Sequence, residues 1–222
     1  MDFTDFQSNN INYFNLNGSQ HYNPVLAAVI TSRQNGERNI FTNHPNPIDP
    51  EIRAEELFQK VNPQIVLLDG FYPEAVVEIC HFANRLNIPV GLDCGSWKSL
   101  YEQIIPHTQI AICSADFISP GYETIDDVID FLNEHGVQKS ANSRGGENLI
   151  FSDGVRRGEV PVEKLKIKDS LGAGDFLHGA FCFYYLQMNC DFENALKMAV
   201  KFATYTCMYE GTRRWKIGRA HV

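Results

Sequence analysis

No two of the six cysteines stand at Cys-x-x-Cys spacing: Cys80, Cys94, Cys113, Cys182, Cys190 and Cys207 are scattered, mostly inside apolar runs. No Cys/His group has zinc-finger spacing either, which argues against a structural zinc or a dithiol redox centre. The cysteines read as small buried hydrophobes in a reducing compartment. Uninterrupted apolar runs long enough to span a bilayer are missing. The first residues, MDFTDFQSNNINYFNLNGSQ, are polar and acidic and lack the basic-then-apolar order of a signal peptide. The expectation is a cytoplasmic protein with no membrane partner. A basic stripe is missing too. Lys and Arg number 19 against 27 Asp and Glu, for a net charge of −8. That argues against a nucleic-acid partner, which needs a positive footprint. It does not argue against a phosphate ligand, because backbone amides can hold one.

What is present suits one α/β domain. The chain has 222 residues, 44% of them hydrophobic, enough for a single sizeable core. Residues 1–23, rich in Asn, Gln and Ser, are expected to be a weakly ordered remnant. VLAAVITS (Val25 to Ser32) and RNIFTN (Arg38 to Asn43) flank Asn35-Gly36 and predict a hairpin. Alternation follows. A helix is expected to start at Asp49-Pro50-Glu51. Strands are expected at Gln64 to Gly70, Ile88 to Gly95 and Gln109 to Ala115, with helices at Pro73 to Leu86 and Thr124 to His135. Thr124 and Asp127 form a variant capping box, and Gly136 a stop. Asn148 to Gly154 and Val155 to Val162 read as a second hairpin. Ala173 to Gln187 and Asp191 to Glu210 read as long helices. Repeated strand-helix-strand order implies a mainly parallel sheet with helices on both faces.

The stretch that carries chemistry is Asp169-Ser170-Leu171-Gly172-Ala173-Gly174-Asp175-Phe176. It follows a strand-like run, Leu165 to Ile167, and opens an apolar helix. A Gly-Ala-Gly turn at a helix N-terminus gathers free N–H groups at the positive end of the dipole, which makes an anion site. The acid that follows would repel phosphate. It is well placed instead to take a proton from a hydroxyl attacking that phosphate. Anion hole and base together make a minimal phosphoryl-transfer site. Taken alone, a Gly-x-Gly-Asp pattern is more often an ordinary helix cap.

The octet DSLGAGDF closely resembles the C-terminal signature of the ribokinase-like (PfkB-type) carbohydrate kinases, roughly D-T-x-G-A-G-D-x-F. SRGGENLIFSDG (Ser143 to Gly154) is similar to that family's T-x-G-x-x-G strand-turn-strand. IVLLDG (Ile65 to Gly70) and PVGLDCGSWK (Pro89 to Lys98) resemble its consecutive sheet strands, and ALKMAVKFATYTCMYEG (Ala195 to Gly211) its adenine-side helix. The resemblance runs from about Pro24 to Arg214. It implies a three-layer α/β/α fold with a mainly parallel sheet and the remnant of a β-hairpin lid at 25–43. It also implies ATP and Mg²⁺, a sugar substrate, and transfer of the γ-phosphoryl group to a sugar hydroxyl. By the same resemblance Asp175 is the catalytic base, and Gly172, Ala173 and Gly174 form the anion hole. Asp169 orders the turn or approaches a cation, while Ser143 and Gly145 lie near the nucleotide. Ser170 stands where Thr is commoner. Many members carry N-x-x-E to organise Mg²⁺. The corresponding strand end here reads Cys113-Ser114-Ala115-Asp116-Phe117, where Asp116 can assist the metal through water. The family's N-terminal sugar-binding portion is expected to be missing, leaving 24–215 as an N-terminally incomplete kinase domain. IGRAHV (Ile217 to Val222) reads as a non-native tail, and 216–222 are set apart on that ground.

Two readings of Lys98 stand side by side. It can reach a phosphate beyond the strand ends, or it is a solvated lysine. Asp93 reads as structural. Arg156 and Arg157 read as exposed, His178 as packed rather than a proton shuttle, and Trp97 with Phe181, Phe183, Tyr184 and Tyr185 as core or interface. A lid hairpin with unpaired edges favours a homodimer. The competing functional reading is a catalytically inactive nucleotide- or sugar-binding protein on the same fold. A Rossmann oxidoreductase suits the alternation but not the position of the glycines.

Overall fold

The computed structural model describes residues 4–16, 26–31, 38–43 and 50–219. The apolar runs of the sequence lie side by side in a six-stranded sheet. It is built from β3 (Val66–Leu68), β4 (Val90–Cys94), β5 (Ile110–Ser114), β6 (Lys139–Ser143), β7 (Leu149–Ser152) and β8 (Arg157–Val160), paired in that order. The first four run parallel and the last three pair antiparallel. Two further strands, β1 (Leu26–Thr31) and β2 (Arg38–Asn43), form a separate antiparallel ribbon. Helices α1 (Thr4–Ser8), α2 (Ala54–Val61), α3 (Pro73–Arg85), α4 (Tyr101–Ile104), α5 (Ile125–Glu134), α6 (Ala173–Gln187) and α7 (Phe192–Thr206) complete the chain.

Strand alternation explains the layering. On β5, Ala111 and Cys113 join a cluster with Val76 and Cys80 of α3 and Val128 and Leu132 of α5. Ile110 and Ile112 join the other cluster, with Leu177 and Phe181 of α6 and Ala195 and Ala199 of α7. The sheet is therefore buried on both faces between two helical layers, as parallel strands require. This is the expected α/β/α arrangement. Among the described residues no helix is long and apolar enough to cross a membrane.

The local signals fare unevenly. The capping box of α5 is formed in both directions, Thr124 with Asp127, and Gly136 follows at φ 93°. The second hairpin and α6 stand where expected. The first hairpin pairs Thr31 with Arg38, and its Asn-Gly turn lies outside the described residues. Three expectations are corrected. The helix expected from Asp49-Pro50-Glu51 starts at Ala54, because the carboxylate of Glu78 on α3 accepts the Ala54 N–H at 2.6 Å. That cap comes from a neighbouring helix rather than from local sequence. Leu165 to Ile167 form no strand; the N–H groups of Lys168 and Asp169 bond instead to the Cys207 carbonyl, at 2.9 and 3.2 Å. The last helix ends at Thr206.

Tyr101 pins the carboxyl ends of β3 and β4. It is fully buried, and its hydroxyl lies 3.3 Å from the Asp69 carbonyl and 3.2 Å from the Asp93 carbonyl. Gly70 passes it at φ +74°, and a Cβ there would stand 2.7 Å from the Tyr101 ring. Gly70→Ala adds left-handed strain to a steric clash, so a loss of about 2 kcal/mol is expected. Urea unfolding measures it, and an unchanged midpoint would contradict this account.

Candidate functional site

The N-terminus of α6 is shaped by its glycines and by one acid ahead of them. Gly172 holds φ 77°, and a Cβ there would meet the Thr212 methyl at 3.2 Å. Gly172→Ala is expected to cost about 1–2 kcal/mol, read as a lower thermal midpoint; full stability would show that the turn tolerates a side chain. Asp169 accepts the Leu171 N–H at 2.9 Å and the Gly211 N–H at 3.0 Å. It thus lashes the turn to the segment after α7. The Ala173 N–H bonds to Ser170 O at 3.2 Å and the Phe176 N–H to Gly172 O at 2.9 Å. That leaves the Gly174 and Asp175 amides as the donors of this first turn with no acceptor among the described residues. The Asp175 side chain is exposed, and one of its carboxylate oxygens lies 3.6 Å from where a Gly172 Cβ would stand.

Beside this turn opens a cavity of about 430 Å³, within the range of small-molecule sites. Ala173, Gly174 and Ser170 are among its walls. Ser143 at the end of β6 and Gly145 of the β6–β7 turn line it, and Gly145 adopts φ 60°. Apolar Leu149, Val162 and Leu177 also line it, as do Val200, Ala203 and Thr204 of α7. Walls that combine the free Gly174 amide with apolar side chains suit a phosphorylated ligand with a flat apolar group. The fold thus brings Ser143, Gly145, Ala173 and Gly174 to one cavity. Gly172, Asp169 and Asp175 belong to the adjoining turn and are not among its walls. Sequence reasoning missed Arg144 and Lys164. Arg144 closes the β6–β7 turn on the Asn148 carbonyl, and Lys164 donates to the Gly146 carbonyl. Arg144 lies inside the Ser143–Gly154 stretch and is held by a local bond, whereas Lys164 reaches the cavity from 18 residues beyond Gly146, where no motif marks it.

The opposite side of Asp175 is acidic. Asp93, at the end of β4, lies in the electrostatic field of Asp175, Asp69, Lys98 and His178. Lys98 donates to the Asp69 carbonyl at 3.0 Å and packs over the Phe71 ring at 4.6 Å. It belongs to this strand-end cluster rather than to the walls of the cavity. His178 is buried, as the sequence suggested. Burial pushes the Asp93 carboxyl up; His178 opposes the rise most, Asp175 and Asp69 add to it, and Lys98 lowers it. For an acid with a raised folded-state value, the stability it contributes is fully present below its ordinary value of 3.8 and is lost as pH climbs through the raised value. Lowering the pH from 7 toward the ordinary value of 3.8 is therefore expected to move the urea midpoint in favour of the unaltered chain relative to Asp93→Asn. Parallel pH curves for the two chains would refute this.

Asp116 follows β5, exposed, with its N–H on the Ser114 hydroxyl at 3.2 Å. It is not a wall of the cavity. Among the described residues no group of three or more His, Cys, Asp or Glu could cage a metal ion. One hard oxygen donor fits a Mg²⁺ that arrives on substrate phosphates and keeps its waters.

Known proteins supply a context for this geometry. The pattern describing the "pfkB family carbohydrate kinase" matches residues 3–216. A ribokinase of Lactococcus lactis subsp. lactis is 31% identical over 162 residues, covering 70% of this chain and 51% of its own. The chain spans about half the length of the curated relatives it matches. Among solved structures, a ribokinase from Thermotoga maritima superposes with TM-score 0.66 at 19% identity, over 85% of this chain and 64% of that one. A fructokinase from Xylella fastidiosa with bound ATP gives 0.66 at 17% identity, over 85% and 68%. At such identities these two likenesses speak for the fold.

Proposed function

The chain belongs to the pfkB family of carbohydrate kinases, and from that premise we propose that it is the nucleotide-binding, phosphoryl-transferring part of an ATP-dependent sugar kinase. The observation that carries the reading is the pair of acceptor-free amides, Gly174 and Asp175, at the mouth of a cavity, with an exposed carboxylate beside them.

The cavity takes ATP, with the base against the α7 wall and the phosphates toward the first turn of α6. The Gly174 and Asp175 amides, backed by the helix dipole, stabilise negative charge on the transferring phosphoryl group. Asp175 accepts the proton of the attacking sugar hydroxyl, which approaches from the strand-end side, away from the cavity. Asp169 keeps the turn in shape through its two backbone bonds. Mg²⁺ bound with the nucleotide would neutralise phosphate charge, with Asp116 as its protein-side oxygen, reached through water. The exposed apolar residues of the β1–β2 ribbon, Leu26, Ile30 and Phe41, suit a lid that covers the sugar and pairs with a second copy. A cytoplasmic setting goes with this reading.

One observation favours the inactive alternative: the five residues that follow β5, Ala115 to Ser119, include no Glu, and Phe117 among them is fully buried. An ADP-release assay over a panel of free sugars, with calorimetric titration of Mg·ATP, separates the two. ATP binding with sugar-dependent ADP release supports the kinase. Binding without release supports the inactive protein. No ATP binding sinks both.

A further inference from the structure

His178 sits one turn into α6, directly behind the amides assigned to the phosphate, and is 6% exposed. Its Nδ1 lies 2.8 Å from the Gly174 carbonyl oxygen, and its Nε2 lies 3.1 Å from the Ile112 carbonyl of β5. A carboxylate oxygen of Asp93 on β4 stands 3.5 Å from the same Nε2. One imidazole therefore touches the first turn of α6 and two strands of the sheet. The Gly174 carbonyl belongs to the peptide unit that carries the Asp175 N–H. That unit is planar, so whatever holds its C=O also aims its N–H.

We propose that His178 is a positioning residue of the phosphate site: its ring braces the Gly174–Asp175 peptide unit against β5 and β4, holding the Asp175 amide in the direction a phosphoryl oxygen needs. Donors that need no reorientation when charge develops are the effective ones. The imidazole touches no nucleotide; it acts through the peptide it holds. The inference rests on the reading of this helix end as the phosphate site. It goes beyond that reading by giving a buried histidine a task that packing alone would not require.

Packing and bracing differ in what they do to two ligands. Adenosine shares the base and ribose of ATP but has no phosphates, so it tests the cavity without testing the braced amide. Asparagine at 178 puts a donor near the Nδ1 position, and glutamine puts one near Nε2. Titration calorimetry of the whole chain would compare Mg·ATP with adenosine for the unaltered protein and for His178→Leu, His178→Asn and His178→Gln. The expected result is about a tenfold weaker affinity for Mg·ATP in His178→Leu, with adenosine affinity unchanged. Asn is expected to restore most of the loss and Gln little of it. Equal losses for both ligands, an unchanged Mg·ATP affinity in His178→Leu, or rescue by Gln as good as by Asn would each overturn the brace. If His178→Leu shows no cooperative thermal transition, the comparison of Asn with Gln decides alone. An unaltered chain that binds neither ligand overturns the nucleotide reading and the brace with it. One that binds both, with His178→Leu indistinguishable from it, overturns the brace alone.

Discussion

Asp175→Asn is expected to lower sugar-dependent ADP release by about a thousandfold, the middle of the range for a lost general base. Affinity for Mg·ATP should hold or rise slightly. The sign follows from charge: the carboxylate sits at the edge of the proposed phosphate site, so neutralising it relieves repulsion in the bound state. The side chain is exposed and Asn keeps its size, so the helix is expected to stay folded. Steady-state kinetics with a parallel ATP titration tests both halves. Turnover within a few-fold of the unaltered protein would remove Asp175 from the chemistry. A collapse of ATP affinity would mean that the residue holds the turn rather than the proton.

Gly174→Ala should separate stability from binding. A Cβ on Gly174 would meet nothing within 4 Å, and the residue does not hold a positive φ. Alanine is the better helix former by up to about 1 kcal/mol, so the thermal midpoint should stay or rise. The new methyl would nonetheless stand at the mouth of the cavity, between an approaching phosphate and the two free amides. Mg·ATP affinity is expected to fall about a hundredfold, with adenosine affected far less. Unimpaired ATP binding in a well-folded Gly174→Ala protein would move the phosphates elsewhere.

The glycine turn at the head of α6 was legible in the sequence because its signals are local. Gly-Ala-Gly and the neighbouring acids need only each other and a helix start. β4 and β5 were legible because strands buried on both faces read as apolar runs. β6 was not, since Lys-Ser-Ala-Asn-Ser looks like a loop. It is a strand because β5 and β7 pair with it on both sides. Its buried Asn142 donates to the Ser114 carbonyl at 3.1 Å. Leu165 to Ile167 erred the other way. Apolar and lysine residues alternate there, but β8 is the last strand of the sheet, and among the described residues no strand lies beyond it for a partner. The start of α2 depended on Glu78, 24 residues away. The Lys164 wall, the strand-end cluster at Asp93 and the contact of His178 with β5 are made across the fold, where spacing along the chain carries no signal.

The Asp169 bonds bear on how this protein should be handled. Its carboxylate spans from Leu171 to Gly211, and the Cys207 carbonyl takes the N–H groups of Lys168 and Asp169. A nick or deletion just past α7 would thus remove no reactive group, yet would unmoor the loop that presents the amides. Shortened preparations are expected to score as dead enzyme while every residue of the glycine turn is still in place.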